Sequence, residues 1–378
     1  MFKKRLLTPG PVSAYPPALW AALDGNIHHR TPEFKVILAD VRERLLRMMG
    51  MPQEVHILGS SGTGGMEAAV TNFFSPGDAV LVATCGKFGE RWIELTTRFG
   101  LETHHLEYPY GQAVDPSQIE EALRRNSRIC GVFVQACESS TGVQNDIDAI
   151  SKVVSATDAI LIVDAISALA TMPLSCAEGI DVLIGASQKA LMVPPGLAFV
   201  GVGRKAGSRM EHAKIARYYF DLRASKKAWD QNGQTAFTPP TSLILSLQKS
   251  LTAIEDFGLE RLIQTTENRA RATRAALAAI SLEPFAKRPA NALTAVVAPS
   301  GIADKITGEL KQKYGFQVAG GQGELKGKIF RISHMGFIDH FDSLGVLSAL
   351  ELTLQTLGFP VEPGVSLSEF QRVFSGVK

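Results

Sequence analysis

Five mostly apolar segments place the strongest constraint on how this chain folds. They are EVHIL (54–58), DAVLVAT (78–84), RICGVFVQA (128–136), AILIVDAIS (159–167) and DVLIGAS (181–187). Amphipathic stretches with helical spacing separate most of them. Strands that are apolar on both faces are typical of a parallel sheet with helices on both sides. The sequence therefore predicts a doubly wound α/β fold, in which ligands bind at the carboxyl ends of the strands.

The pattern changes after Pro239 and Pro240. A long helical stretch from about Ser242 to Leu277 precedes a strand near 294–299, a helix near 303–314, a strand near 328–336 and a final amphipathic helix. This order predicts a smaller α+β domain at the C-terminal end. We expect an N-terminal segment at 1–18, a large domain at 19–256 and a small domain at 257–378.

Composition narrows the class of protein. The 378 residues are 45% hydrophobic and 20% charged, with a formal net charge of +2. So small a charge gives no field that would recruit nucleic acid or an anionic membrane. The basic start MFKKRLL leads into TPGP where a signal peptide needs an apolar core, and no uncharged run is long enough to span a membrane. We expect a soluble cytoplasmic protein.

The cysteines show no paired CxxC spacing. They are Cys85, Cys130, Cys137 and Cys176. This scatter is typical of a reducing compartment and argues against a metal cluster.

A glycine-rich turn, GSSGTGG (59–65), stands between a strand and a helix. Backbone N–H groups at a helix start, with the hydroxyls of Ser61 and Thr63 beside them, form an anion site. A flexible turn with a helix cap would use the same residues. The turn lacks both the GK[ST] of a Walker loop and the spacing of a dinucleotide fingerprint.

Two further strand ends carry polar residues. Asp164 ends the apolar run ILIVD, and the polar turn CESSTG (137–142) follows GVFVQA. The Asp164 carboxylate pairs with a cation, binds a metal or caps the next segment, and the metal is disfavoured because no histidine or second acid lies nearby. Ser139 and Ser140 either donate hydrogen bonds to a ligand or form a Ser/Thr turn.

Lys189 follows the apolar run DVLIGAS, where a buried ammonium would lose its hydration. Its side chain either snorkels to the surface or is held for a chemical role. In a parallel sheet Lys189 and Asp164 share one rim with the glycine turn. Together they suit pyridoxal phosphate, because the lysine forms a Schiff base, the aspartate keeps the pyridine nitrogen protonated and the turn anchors the phosphate.

These residues also resemble a known family, the class V aminotransferases, and most closely the alanine–glyoxylate and serine–glyoxylate (serine–pyruvate) group. The motifs are TPGP (8–11), SSGTGGMEAA (60–69), GKFGERW (86–92), ESSTGV (138–143), VDAISAL (163–169), SQKALMVPPG (187–196) and FRISHMG (330–336). The resemblance implies a fold-type I homodimer with a mostly parallel seven-stranded sheet, a small C-terminal α+β domain and active sites at the subunit interface.

Carried over position by position, the resemblance makes Lys189 the Schiff-base lysine and Asp164 the partner of the pyridine nitrogen. Arg331 matches the arginine that grips the substrate α-carboxylate. Further cofactor contacts are implied for Ser61, Gly62, Thr63, Phe88, Ser139, Gln188 and Thr238, and further substrate contacts for Gly10 and Ser139. Phe88 stands where the family stacks an aromatic ring, and Thr238 matches a phosphate contact from the other subunit.

The chain departs from its relatives at Thr235, where animal alanine–glyoxylate enzymes have a tyrosine that reaches the phosphate. HHRTPEF (28–34) also resembles the element by which phosphoserine aminotransferases bind an acidic group across the dimer interface. His28, His29 and Arg30 either form a helix start or dimer contact, or His29 and Arg30, with His334, contact the substrate side chain.

We expect transfer of an amino group from alanine or serine to glyoxylate or pyruvate. Aspartate, phosphoserine or 2-aminoethylphosphonate as donor, and a lyase reaction, are alternatives. Cysteine desulfurase chemistry is disfavoured because the last cysteine, Cys176, precedes Lys189. Some relatives carry the label of a soluble hydrogenase subunit, but a non-enzymatic subunit would leave Lys189, Asp164 and Arg331 unexplained together.

Overall fold

The computed structural model describes residues 3–23, 26–51, 54–174 and 179–376, so Cys176 lies outside the described residues. The strands are β1 (Arg5–Leu6), β2 (Glu54–Leu58), β3 (Ala79–Thr84), β4 (Glu102–Glu107), β5 (Ile129–Gln135), β6 (Cys137–Glu138), β7 (Val143–Gln144), β8 (Ile160–Asp164), β9 (Val182–Ala186), β10 (Ala198–Val202), β11 (Leu293–Val297), β12 (Phe316–Gln317), β13 (Ala319–Gly320) and β14 (Ile329–Ser333). The α-helices are α1 (Pro16–Leu23), α2 (Pro32–Met49), α3 (Gly62–Phe73), α4 (Lys87–Arg98), α5 (Pro116–Arg125), α6 (Ile147–Ser155), α7 (Arg204–Met210), α8 (Leu222–Asn232), α9 (Thr241–Phe257), α10 (Leu259–Ala279), α11 (Ala303–Tyr314), α12 (His340–Thr356) and α13 (Val365–Ser375).

A seven-stranded sheet with the order β2-β10-β9-β8-β5-β3-β4 forms the centre of the fold. Strands β9, β8, β5, β3 and β4 are parallel, whereas β10 is antiparallel to both β9 and β2. The segment between β9 and β10, residues 187–197, contains no helix, whereas a parallel crossover usually does. The predicted α/β fold with a mostly parallel sheet is confirmed.

Both faces of this sheet are buried, as the apolar strands predicted. Along β3, Val80 and Val82 belong to the core on one face, which includes Trp92 of α4, and Leu81 belongs to the core on the other face. Each buried aliphatic side chain of this size contributes about 1.5–3 kcal/mol of transfer free energy. The strands are therefore fixed on both sides, which makes the rim at their carboxyl ends a rigid support.

A second core lies in the C-terminal lobe, where β11, β14 and β13 form an antiparallel sheet packed by α10 to α13. The long helical stretch predicted from about Ser242 to Leu277 consists of two helices. Helix α9 ends at Phe257 and α10 begins at Leu259, because Gly258 between them has a φ of +92°.

None of the described helices is long and apolar enough to cross a bilayer.

The N-terminal segment joins this C-terminal lobe before it reaches the central sheet. Strand β1 pairs with β12, and Leu7 is buried in the C-terminal core. The backbone N–H of Val12 then donates to the carbonyl of Gln188 at 3.1 Å. Residues 8–11 are therefore held over the turn that carries Lys189. The domain boundaries at 18/19 and 256/257 stay predictions.

Candidate active site

A cavity of about 240 Å³ opens at the carboxyl ends of β5, β8 and β9. Its lining residues come from the β2–α3 turn, the start of α4, the strand ends and the N-terminal segment. They are Gly10, Pro11, Ser61, Gly62, Thr63, Phe88, Arg91, Cys137, Ser139, Asp164, Ile166, Ser167, Gln188, Lys189 and Pro195. The structure thus brings together nine residues singled out in the sequence, namely Gly10, Ser61, Gly62, Thr63, Phe88, Ser139, Asp164, Gln188 and Lys189.

Lys189 is 9% exposed and lies in the turn after β9. Its Nζ donates to the carbonyl of Pro9 at 2.6 Å. Burial lowers the pKa of Lys189 to about 8, against the opposing effect of Cys137 and Asp164. Gly10 is required here, since a Cβ at that position would lie 2.4 Å from Nζ and its φ is +146°. The chain therefore passes tightly over an amine that releases its proton easily.

Asp164 ends β8 and is 5% exposed. Its Oδ1 accepts the backbone N–H of Ile166 at 2.8 Å. Burial raises the pKa of Asp164 to about 7, although this hydrogen bond and the positive charges of Lys189 and Arg91 act in the opposite direction. A carboxylate in this state becomes fully ionised when a cation is placed beside it.

The glycine turn leaves the start of α3 open towards the cavity. Ser61 precedes the helix, but its hydroxyl makes no capping hydrogen bond. The first N–H groups of a helix have no partner within the helix, so this end attracts an anion. A Cβ on Gly62 would lie 2.4 Å from Cδ1 of Ile166. Close packing at this turn therefore requires glycine.

Arg331 reaches this rim from β14 of the C-terminal lobe and is 6% exposed. Its Nη1 donates to the carbonyl of Ser139 at 2.7 Å, and its Nε and Nη2 donate to the carbonyl of Gly320 at 3.0 and 2.8 Å. Burial lowers the pKa of Arg331 to about 10, whereas the charge of Glu138 raises it. Three of its five N–H donors are used, which leaves two for a ligand.

Several residues singled out in the sequence, Arg331 among them, do not line the cavity. Thr235 and Thr238 line a separate shallow pocket with Gly59, and Nη1 of the exposed Arg30 donates to Oε1 of Gln234 at 2.6 Å. His28 and His29 lie next to Arg30, with ring centroids 4.6 Å apart.

His334 is also away from the cavity. It is fully buried, with Nε2 2.8 Å from Oγ1 of Thr294. Burial holds the pKa of His334 well below its usual range.

Arg91 and Cys137 line the cavity, but they were not predicted as site residues from the sequence. Nη1 of Arg91 donates to Oγ1 of Thr63 at 3.0 Å, and its guanidinium lies 4.9 Å from the centre of the Phe88 ring. The three-residue spacing of Phe88 and Arg91 along one helix was the available signal. Across the described residues, no three His, Cys, Asp or Glu side chains are grouped so as to hold a metal ion.

A family model for aminotransferase class-V matches residues 18–324, which is most of the chain. The chain belongs to the class V aminotransferases. This confirms the predicted family and the predicted class of enzyme. Members of this family in general depend on pyridoxal phosphate.

Three relatives of this class V aminotransferase match over nearly their whole length. The soluble hydrogenase 42 kDa subunit of Anabaena cylindrica is 39% identical, with 99% of both chains covered. The L-aspartate–glyoxylate aminotransferase of Paracoccus denitrificans is 34% identical, covering 97% of this chain and 95% of the relative. The serine–glyoxylate aminotransferase of Methylorubrum extorquens is 33% identical, covering 96% and 94%.

A solved structure shows the same architecture. The pyridoxamine–pyruvate aminotransferase of Mesorhizobium loti matches with a TM-score of 0.95 and 28% identity, covering 100% of this chain and 98% of that chain. The aminotransferase fold therefore extends over the whole of this molecule.

Proposed function

We propose that this class V aminotransferase binds pyridoxal phosphate in the cavity and moves an amino group from serine or alanine to glyoxylate or pyruvate. The observation that carries the proposal is the pair of buried charged groups, Lys189 and Asp164, on one rim with an open helix start. A cavity of about 240 Å³ has room for a substituted pyridine ring, and Phe88 offers an aromatic face on its wall. The residues therefore fit the cofactor.

In this proposal the open start of α3, with Ser61 and Thr63, binds the phosphate. Gln188 also lines the cavity, and the NH₂ group of its side-chain amide is the kind of donor that a phosphate oxygen accepts. We assign Thr238 to the phosphate of the other subunit. Nothing in this scheme requires a tyrosine at position 235.

Bound pyridoxal phosphate supplies an aldehyde and an electron-withdrawing ring, which together make the α-hydrogen of an amino acid acidic. Asp164 holds the proton at the pyridine nitrogen, because a cation beside this carboxylate favours its ionised form. Lys189 moves the proton at the substrate α-carbon, and a pKa near 8 suits both directions of that transfer at neutral pH. Arg331 binds the α-carboxylate with its two remaining N–H donors.

Glyoxylate is the preferred acceptor, because it is named for both the Paracoccus and the Methylorubrum relative. A small donor such as serine or alanine suits this cavity, whose lining includes Gly10 and Pro11. Aspartate is a second candidate donor, favoured by the name of the Paracoccus relative.

We also propose that the protein works as a homodimer. Trp20, Leu23, Val36 and Tyr218 are 65%, 83%, 70% and 79% exposed, and a second subunit could cover side chains of this kind. Thr238 and Arg30 lie outside their own cavity, so in this arrangement they would serve the cavity of the second subunit.

The test combines a substrate screen with one variant. Single amino acids are added to the pyridoxal phosphate-loaded protein while the visible absorbance of the cofactor is followed, and oxo acids are then added to restore it. We expect serine or alanine to bleach the band and glyoxylate to restore it, and Lys189→Ala to abolish turnover. Near-normal turnover in Lys189→Ala, or no cofactor uptake by the wild type, would refute the proposal; bleaching by aspartate alone would select the second donor.

A further inference from the structure

Glu138 is a fully buried carboxylate that the proposed chemistry does not use. Its exposed fraction is 0%, and its hydrogen-bond partners are all uncharged N–H and O–H groups. A buried carboxylate is costly unless its oxygen atoms are well hydrogen-bonded. The presence of so costly a group beside the cavity indicates that it has a role there.

One oxygen of Glu138 holds the start of α4. Oε2 accepts the backbone N–H of Phe88 at 3.0 Å and of Gly89 at 2.9 Å. The positive end of the helix dipole favours a negative charge at this point. A Cβ on Gly86 would lie 2.5 Å from Cγ of Glu138, so glycine is needed for this close approach. The carboxylate thus fixes the backbone that carries the Phe88 ring.

The other oxygen of Glu138 holds the loop that contacts Arg331. Oε1 accepts the backbone N–H of Ser140 at 3.1 Å and its hydroxyl at 2.6 Å. Ser140 Oγ in turn accepts the backbone N–H of Lys87 at 3.0 Å. The neighbouring residue, Ser139, lines the cavity and accepts Nη1 of Arg331 through its carbonyl. One carboxylate therefore connects two walls of the cavity.

We infer that Glu138 is a positioning residue that holds the Phe88 ring and the Ser139–Arg331 pair in a fixed relation across the cavity. Burial raises the pKa of Glu138, whereas its hydrogen bonds from Ser140, Gly89 and Phe88 lower it and favour the ionised form. The inference rests on the proposed function, because that relation matters only if a ring-bearing cofactor and a substrate carboxylate bind between these groups.

The chain offers a matched control in Glu351 of α12, which is 3% exposed. Its carboxylate accepts the backbone N–H of Gly364 at 2.8 Å, and the backbone N–H and hydroxyl of Ser366 at 2.7 and 2.6 Å. Like Glu138, it therefore accepts hydrogen bonds from the start of a helix and from a serine, but it lies in the C-terminal lobe. Glu138→Gln and Glu351→Gln make the same chemical change in two places.

The measurements are Tm, the Kd of the cofactor-free protein for pyridoxal phosphate, and KM and kcat for the amino donor. A glutamine keeps one acceptor oxygen but presents an NH₂ group to donors on the other side. Both variants should lower Tm. Glu138→Gln alone should raise the Kd and the KM at least about tenfold, because hydrogen bonds to an ionised group are lost beside the site.

Values for Glu138→Gln within about twofold of the wild type, or an equal rise in Glu351→Gln, would overturn the inference. If Glu138→Gln does not fold, Ser140→Ala and Ser366→Ala remove one hydroxyl from each carboxylate. Ser140→Ala should then raise KM more than Ser366→Ala does, and equal values would overturn the inference. Normal cofactor uptake and an inactive Lys189→Ala would show that the proposed function still stands.

Discussion

Glu351 in the C-terminal lobe and the pair Lys189 and Asp164 at the cavity are all buried, but their hydrogen bonding differs. In the lobe, Glu351 accepts three hydrogen bonds. At the cavity, Lys189 makes one hydrogen bond, to Pro9, and Asp164 also makes one, to Ile166. Burial then moves the pKa of each towards neutrality, to about 8 for the lysine and about 7 for the aspartate.

This difference distinguishes a buried charge that only stabilises the fold from buried charges that are available to a ligand. The Glu351 carboxylate is surrounded by donors, because an unsatisfied buried group of this kind costs about 1–3 kcal/mol or more. The same chain leaves two charges at the sheet rim with few partners. Incompletely satisfied buried groups of this kind are concentrated at functional sites, where a ligand supplies the missing partner.

The largest expected effect comes from removing the charge of Asp164. Asp164→Asn keeps the shape of the side chain but cannot favour a protonated pyridine nitrogen. We expect kcat to fall by about a hundredfold or more. Steady-state kinetics with serine and glyoxylate check this, and a fall of less than about threefold would contradict the role assigned to Asp164.

The same substitution should make the cofactor-free protein more stable. The folded-state pKa of Asp164 is raised from 3.8 to about 7, so the folded protein retains a proton that the unfolded chain has lost. The free energy of unfolding of the wild-type protein therefore falls as the pH rises from 3.8 to about 7. Asparagine does not ionise and has no such cost. The variant's free energy of unfolding should therefore exceed that of the wild type, and this excess should be larger at pH 8 than at pH 5 by on the order of 2 kcal/mol. Urea unfolding at both pH values tests this, and an unchanged difference would mean that Asp164 already has a partner.

A smaller effect is expected at Arg331, which can be compared with Arg269 of the same lobe. Both are 6% exposed, and Nη1 of Arg269 donates to the carbonyl of His334 at 2.6 Å. Arg331→Lys keeps the charge but loses the planar fork, so KM for the amino donor should rise about 10–100-fold with a smaller change in kcat. Arg269→Lys should lower Tm without that rise. Equal KM values in the two variants would contradict the contact with the substrate carboxylate.

Much of the fold was predictable because its central strands are apolar on both faces. Strand β4 (Glu102–Glu107) was missed, since an edge strand with half-exposed polar residues lacks that signal. Strand β10 was missed, and it is antiparallel to β9, with no crossover helix in the segment that carries Lys189. The break at Gly258 separates two helices with continuous helical composition, so only its backbone angle reveals it.

The site was predictable where chemistry follows directly from a strand end, as at Asp164 and Lys189. Arg91, Cys137 and Glu138 were not recognised, because their importance depends on contacts between segments. The carboxylate of Glu138 reaches α4 some fifty residues earlier in the chain. The position of Arg331 depends on the packing of the C-terminal lobe, which local sequence patterns do not encode.

The smallest expected effect lies at the surface, at Arg30, whose guanidinium contacts Gln234 and the carbonyl of Thr235. If Arg30 serves the cavity of a second subunit, Arg30→Ala should raise KM for aspartate about fivefold, the scale of one exposed ion pair, and leave KM for serine nearly unchanged. Arg128→Ala, at an exposed ion pair with Glu102, is the control. An equal rise for both donors would mean that Arg30 only shapes the segment leading to Thr238. A rise for aspartate alone would support the proposal that Arg30 binds the second carboxylate of an acidic donor across the subunit interface.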